Sequence, residues 1–235
     1  MSPATLGGVA IRAVFFDVDF TLIYPGPTFQ GEGYQAFCAR YGIAVDPSRF
    51  ADAVRSASVI LTEEQDHIYD AAIFVRYTQH IIEQMGGRGP DLTTCAAEMY
   101  DQWASNQHFV LYDDVPETLR TLAARGLRLG LISNSHRCLQ SFQEHFELDG
   151  LISAAVSSSA HGYMKPHPSI FEAALAQLGV KPGESLMVGD SLAHDIEGAR
   201  RVGMRGVLVE RAPLPHPHES DVPVVRDLRD VVRYV

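Results

Sequence analysis

The stretch Ile11-Arg12-Ala13-Val14-Phe15-Phe16-Asp17-Val18-Asp19-Phe20-Thr21 decides how the rest of the chain reads. Its first half is apolar, β-branched and aromatic without alternation, the pattern of a strand buried on both faces in a parallel sheet. It ends on two carboxylates two residues apart, Asp17 and Asp19. At the C-terminal edge of a parallel sheet, where ligands bind, such a pair can divide labour. One carboxylate can be a nucleophile and metal ligand, the other a general acid and base. Taken alone, two acids in a turn are equally a helix cap.

Working outward, similar apolar runs recur at Leu127–Ile132, Leu151–Val156, Ser185–Val188 and Met204–Val209. Helical patterns separate them. Pro116 to Ala124 carries Leu119, Leu122 and Ala123, with Asp114 placed to cap the helix and Gly126 to end it. Leu139, Phe142 and Phe146 mark a second helix, and Ile170, Ala174, Leu175 and Leu178, closed by Gly179, mark a third. Strands alternating with helices predict an α/β fold, a parallel sheet with right-handed crossovers and helices on both faces.

Pro25 to about His108 breaks this rhythm and reads as helices only. Tyr34, Phe37, Cys38 and Tyr41 form one stripe, and Phe50, Val54, Ala57 and Leu61 a second, after a start at Asp46-Pro47. Ala71, Val75, Thr78, Ile82 and Met85 form a third. Leu92, Cys95, Ala96, Met99 and Trp103 form a fourth, after the break Gly86-Gly87-Arg88-Gly89-Pro90. These stripes are expected to pack a small helical bundle. The expected organisation is a sheet domain of residues 1–23 and 109–235, interrupted by a helical domain of residues 24–108.

Composition narrows the partners. Acids outnumber bases, 29 to 19, for a formal net charge of -10, and no basic run stands out. This argues against a nucleic acid or an anionic membrane as partner. A small anionic substrate stays compatible, because local cations can outweigh the global charge. Cys38, Cys95 and Cys138 have neither disulfide-framework nor metal-ligand spacing and read as buried or half-buried thiols. Met1 to Val9 lacks the marks of a signal peptide, and a cytoplasmic location is expected. Pro213 to Pro223 is a Pro/His-rich loop whose His216 and His218 read as solvated.

Three further polar clusters follow predicted strands. Ser133-Asn134-Ser135 offers a hydroxyl and an amide suited to phosphate oxygens. Lys165-Pro166-His167-Pro168 carries one of only two lysines, the other being Lys181, and a compact ammonium suits a phosphate or a carboxylate. Gly189-Asp190-Ser191-Leu192-Ala193-His194-Asp195 places a second acidic pair after a strand, and carboxylates with waters and substrate oxygens suit Mg2+. Each cluster alone is an ordinary turn. Together, in this order and each behind a strand, they specify a phosphoryl-handling site.

With these four motifs in order, the chain resembles the haloacid dehalogenase-like hydrolases over almost its whole length, from Ile11 onward. The resemblance implies a Rossmann-like core and makes the helical insertion similar to the family's C1-type cap. It implies that Asp17 attacks phosphorus to form an aspartyl-phosphate. Asp19 would protonate the leaving alcohol and then activate water. Ser133, with Asn134 beside it, would bind phosphoryl oxygens, and Lys165 would balance charge. Mg2+ would be held by Asp17, the Asp19 carbonyl and Asp190. Asp195 would orient Lys165 or the groups around the metal.

Departures from the family pattern are Phe20, where glycine is frequent, and His194 before Asp195, expected to face solvent. His136 is expected on an exposed helix face. Asp19 argues for phosphate esters, because dehalogenase-like members lack that second carboxylate and need no metal. The expected activity is therefore a phosphatase acting on a small phosphorylated metabolite, as a monomer or homodimer. A sugar phosphomutase resembling β-phosphoglucomutase and a non-catalytic regulator that keeps the fold are the alternatives.

Overall fold

Ala13–Phe16 forms the first strand, β1, and all of its side chains are buried, as a central parallel strand requires. The computed structural model describes residues 9–62, 66–211 and 221–235. In chain order the elements are β1, β2 (Ile23–Pro25), α1 (Gly31–Ala39), α2 (Phe50–Thr62), α3 (Ala71–Gln84) and α4 (Leu92–Gln102). β3 (Phe109–Leu111), α5 (Val115–Ala124), β4 (Arg128–Ser133), α6 (Leu139–His145) and β5 (Ile152–Ser157) follow. Then come α7 (Ser158–His161), α8 (Pro168–Leu178), β6 (Ser185–Gly189), α9 (Gly198–Arg201), β7 (Arg205–Val209) and β8 (Val224–Val225).

Residues group into two compact units, Met1–Tyr24 with Leu111–Val235, and Pro25–Val110. The first holds a six-stranded sheet of order β5-β4-β1-β6-β7-β8, parallel at every pairing. The five apolar runs read from the sequence are all strands of this sheet. The sixth, β8, is two residues long at the edge, too short to leave a hydrophobic signature. Ala13 and Phe15 share one core with Ile132, Met187 and the α8 residues Ile170, Phe171 and Ala174. Burying a ring such as Phe15 contributes about 1.5–3 kcal/mol. Gly179 closes α8 at φ 59, a left-handed cap that glycine adopts without steric cost.

Asp114 precedes α5 but makes no side-chain cap. Its Oδ2 instead accepts from the Arg211 guanidinium at 2.5 Å and from Leu228 N at 2.7 Å. A buried carboxylate within reach of an arginine takes the charged donor in preference to a helix amide.

The second unit is helical. α2 packs on α3, and α3 on α4. The buried residues include Tyr34, Phe37 and Cys38 of α1, Ala57 of α2, Ile81 and Ile82 of α3, and Cys95, Ala96 and Met99 of α4. Asp46 starts the second stripe, its side chain accepting from Ser48 N at 3.0 Å. Cys38 and Cys95 are buried free thiols with sulfurs 3.8 Å apart, whereas Cys138 is exposed. Among the described residues, no helix is long and apolar enough to cross a membrane. His216 and His218 lie outside the described residues.

Candidate active site

β1 sits between β4 and β6, with Phe16 level with Leu131 on one side and Val188 on the other. This register brings Asp17, Ser133 and Asp190 to the same sheet edge. The chain also builds β4 and β5 to one side of β1 and β6 to β8 to the other. β1 is thus where the strand order reverses, and open α/β sheets bind ligands at that crevice.

Asp17 is 6% exposed and held at both oxygens. Thr21 Oγ1 donates to its Oδ2 at 3.0 Å, and Lys165 Nζ donates to its Oδ1 at 2.6 Å. The same ammonium donates to Asp195 Oδ1 at 2.6 Å and to the Ile132 carbonyl at 2.8 Å. Its three hydrogens are therefore all committed, which fixes a side chain that is otherwise flexible. Asp195 in turn accepts from Ser191 N at 3.0 Å. Gly189 makes room for it: a β-carbon there would stand 2.6 Å from Asp195 Cβ, a clash that only glycine avoids.

Asn134 has a positioning part in this arrangement. Lys165 N donates to its Oδ1 at 2.7 Å, and its Nδ2 donates back to the Lys165 carbonyl at 2.9 Å. The side-chain amide that the sequence suggests for phosphate is thus engaged with the Lys165 main chain, beside a cis Lys165–Pro166 bond. Ser133 is fully buried, its hydroxyl 2.9 Å from that of Ser135. Asp19 Oδ1 accepts from Arg137 Nη2 at 3.0 Å, and the Arg137 side chain is completely enclosed.

Burial raises Asp17 to about 6; the Lys165 ammonium opposes the shift and the Asp195 carboxylate adds to it. Asp19 is also raised, by burial first, against the pull of Arg137. Asp190 is pushed well above the usual carboxylate range, by desolvation and then by Asp17 and Asp195. Because Asp190 still meets solvent, the crowding of carboxylates is the more persuasive of these causes. Lys165 is held above the usual lysine range, its two carboxylate partners outweighing the cost of burial.

Carboxylate oxygens of Asp17, Asp190 and Asp195 lie within 4.8 Å of one another. Asp19 brings a fourth acid, and among the described residues the cations that pair directly with this group are Lys165 and Arg137. Four acids against two cations leave the group short of positive charge once its carboxyls ionise, a shortage that adds to burial in raising Asp17 and Asp190. Hard oxygen donors with that shortage suit a hard divalent cation.

Phe20 adopts φ 65, in the left-handed region, which explains why glycine serves well at this position. His136 lies in the loop before α6, half-buried rather than on an exposed helix face. His194 is half-buried as well, its Nδ1 3.2 Å from Ser191 Oγ. Leu192–Glu197 is wound as a π-helix, whose side chains do not keep the 3.6-residue spacing of an α-helix.

Residues 11–203 match the haloacid dehalogenase-like hydrolases. The chain belongs to that family. It is 32% identical to N-acylneuraminate-9-phosphatase of Mus musculus over 92% of this chain and 93% of that one. It is 30% identical to glyceraldehyde 3-phosphate phosphatase of Methanopyrus kandleri over 95% of this chain and 97% of that one. In fold it is similar to the crystal structure of a haloacid dehalogenase-like phosphatase from Thermococcus onnurineus. The TM-score is 0.64 at 23% identity, covering 94% of this chain and 96% of the other. Along nearly its whole length this hydrolase is thus similar to proteins named as phosphatases.

Arg137, Thr21 and the positioning part of Asn134 are not evident in the sequence. Thr21 lies inside the quoted motif, but nothing in a hydroxyl two residues past Asp19 assigns it to Asp17. Arg137 follows the Ser-Asn-Ser turn, and an arginine in a loop is usually solvated.

Proposed function

We propose that this hydrolase is a Mg2+-dependent phosphatase that cleaves a small phosphate monoester through an aspartyl-phosphate on Asp17. The observation that carries the reading is the setting of Asp17: a carboxylate at the end of β1, gripped by Lys165 and Thr21 within 4.8 Å of Asp190 and Asp195. Relatives named as phosphatases across nearly the whole chain support the same chemistry.

In the first half-reaction a carboxylate oxygen of Asp17 attacks phosphorus as the bond to the ester oxygen breaks, and Asp19 gives its proton to the departing alkoxide. In the second, water attacks the same phosphorus. Asp19 takes the proton from that water, and the bond to Asp17 breaks to release inorganic phosphate. Lys165 stays charged and offsets the negative charge gathered around Asp17. We assign Ser133 to a phosphoryl oxygen, and Asn134 to the placement of Lys165. Asp17, Asp190 and the Asp19 carbonyl would hold Mg2+, which supplies the positive charge that lets an anionic nucleophile meet an anionic phosphate. Asp195 orients Lys165. We take the helical unit for the C1-type cap that sets substrate choice.

Both relatives are named for small phosphorylated metabolites, and we carry over that class alone. The test is a panel of phosphate monoesters with and without Mg2+, run beside Asp17→Asn. Turnover of at least one ester that needs both the metal and Asp17 is the expected result. A regulator that keeps only the fold would turn over none.

A further inference from the structure

Arg137 is the buried cation that neither the family resemblance nor the sequence motifs assign. It stands in the loop between β4 and α6, with its side chain 0% exposed. Its Nη2 donates to Asp19 Oδ1 at 3.0 Å. Enclosing a guanidinium is costly unless it is paired and hydrogen-bonded. Here it meets Asp19, a carboxylate of the cluster that Lys165 does not contact by a direct hydrogen bond.

We infer that Arg137 is a positioning residue that orients Asp19 for proton transfer. The inference rests on the phosphatase reading above. Asp19 must reach two different oxygens in succession, that of the leaving alcohol and that of the attacking water. A carboxylate that rotates freely spends little time aligned with either. Arginine presents its donors on a rigid planar fork, and here one of them, Nη2, fixes Asp19 Oδ1, whereas lysine offers only a point charge on a flexible stem. A grip on Oδ1 leaves Oδ2 to give and take the proton. The enclosure of Arg137 means that it acts on Asp19 and not on substrate.

The role predicts a signature that a general structural residue lacks. Protonation of the leaving group matters greatly for phenolate and little for p-nitrophenolate. Arg137→Gln, Asp19→Asn and the double variant are therefore assayed with Mg2+ on phenyl phosphate and on p-nitrophenyl phosphate. Arg137→Gln is expected to lose about ten-fold more kcat on phenyl phosphate than on p-nitrophenyl phosphate, a part of the roughly 100- to 10,000-fold that a general acid supplies. KM and inhibition by inorganic phosphate should stay within about three-fold of wild type, since uniform binding is untouched. The double variant should be no slower than Asp19→Asn alone, because residues that act as a unit are not additive. Equal losses on both esters, a loss in the double variant equal to the product of the singles, or a large rise in KM would overturn the assignment. If Asp19→Asn itself shows no leaving-group dependence, the assigned role of Asp19 fails and that of Arg137 falls with it. Should Arg137→Gln not fold, Arg137→Lys keeps the charge without the fork and must show the same signature in smaller size.

Discussion

The Lys165 ammonium lies 2.6 Å from the Asp17 carboxylate, although 148 positions separate the two residues. Lys165 thereby joins the end of β1 to the segment before α8, and through Asp195 to the segment after β6. Replacing it by methionine leaves two buried carboxylates without their cation. Breaking a buried pair from one side costs about 3–5 kcal/mol. Lys165→Met should therefore unfold at markedly lower denaturant than wild type at pH 7.5, and recover part of the difference at pH 5.5 as the freed carboxylates take protons. Turnover should fall by about 100-fold or more. Unchanged stability at both pH values would show that the ammonium is not where the structure puts it.

Asp17→Asn is expected to abolish turnover without weakening the metal-free fold. The sign follows from the raised pKa of about 6. A carboxyl whose folded pKa lies above its unfolded value binds its proton more tightly when folded. It contributes most to stability below the unfolded value and loses that contribution as pH rises through about 6. Asparagine removes the ionisation. The variant should match or exceed wild type in thermal midpoint at pH 7.5 without metal, and vary less than wild type between pH 4.5 and 7.5. A large destabilisation at pH 7.5 would contradict this.

Metal removal gives a third outcome. EDTA should stop turnover and Mg2+ restore it, while Ca2+ should not, because its larger and looser coordination misplaces Asp17. A ligand that binds only the folded state raises stability by about 2.7 kcal/mol at 100 times its Kd. Protons compete for the same carboxylates, so Mg2+ affinity measured by calorimetry should rise from pH 5.5 to 7.5, through the Asp17 pKa of about 6. Asp190→Asn should abolish the Mg2+ response of the thermal midpoint while leaving the metal-free value close to wild type. Full activity in metal-free buffer would sink this reading.

Much of this architecture is legible in the sequence because it is local. β1 announces itself by four consecutive buried apolar residues, and Asp17 and Asp190 by their place directly behind strands. What escapes is set by long-range geometry or by departures from regular spacing. Nothing near Asn134 says that its amide will bind the main chain of Lys165, 31 positions away. Arg137 and Asp19 are 118 positions apart. Asp114 looks like a helix cap until Arg211 arrives from 97 positions further on. His194, expected to face solvent, is half-buried beside Ser191 in a π-helical turn. Patterning fixes which elements form and which edge carries the site. The pairing of one side chain with another across the sheet is decided only on folding.

Phe20 supplies the last prediction. Its φ of 65 puts a residue with a β-carbon in the left-handed region, and the ring remains 43% exposed. That conformation costs a non-glycine residue about 1–2 kcal/mol. Glycine relieves the strain but gives back about 0.5–1 kcal/mol through the greater freedom of the unfolded chain. It also forfeits the part of the ring that is covered. These contributions nearly cancel, so Phe20→Gly should lie within about 1 kcal/mol of wild type. Phe20→Ala keeps the strain and loses the ring, and should be less stable than the glycine variant. Phe20→Val adds branching at the β-carbon, which the left-handed region tolerates worst, and should be the least stable of the three. Denaturant midpoints therefore rank glycine above alanine above valine. A conformation kept despite its cost points to a use for the ring, so close to Asp17. Phe20→Gly should then hydrolyse p-nitrophenyl phosphate at a rate near wild type while changing the order of preference among larger phosphate monoesters. A valine variant as stable as the glycine variant would show that the backbone at this position is not left-handed, and an unchanged order of preference would show that the ring has no part in substrate choice.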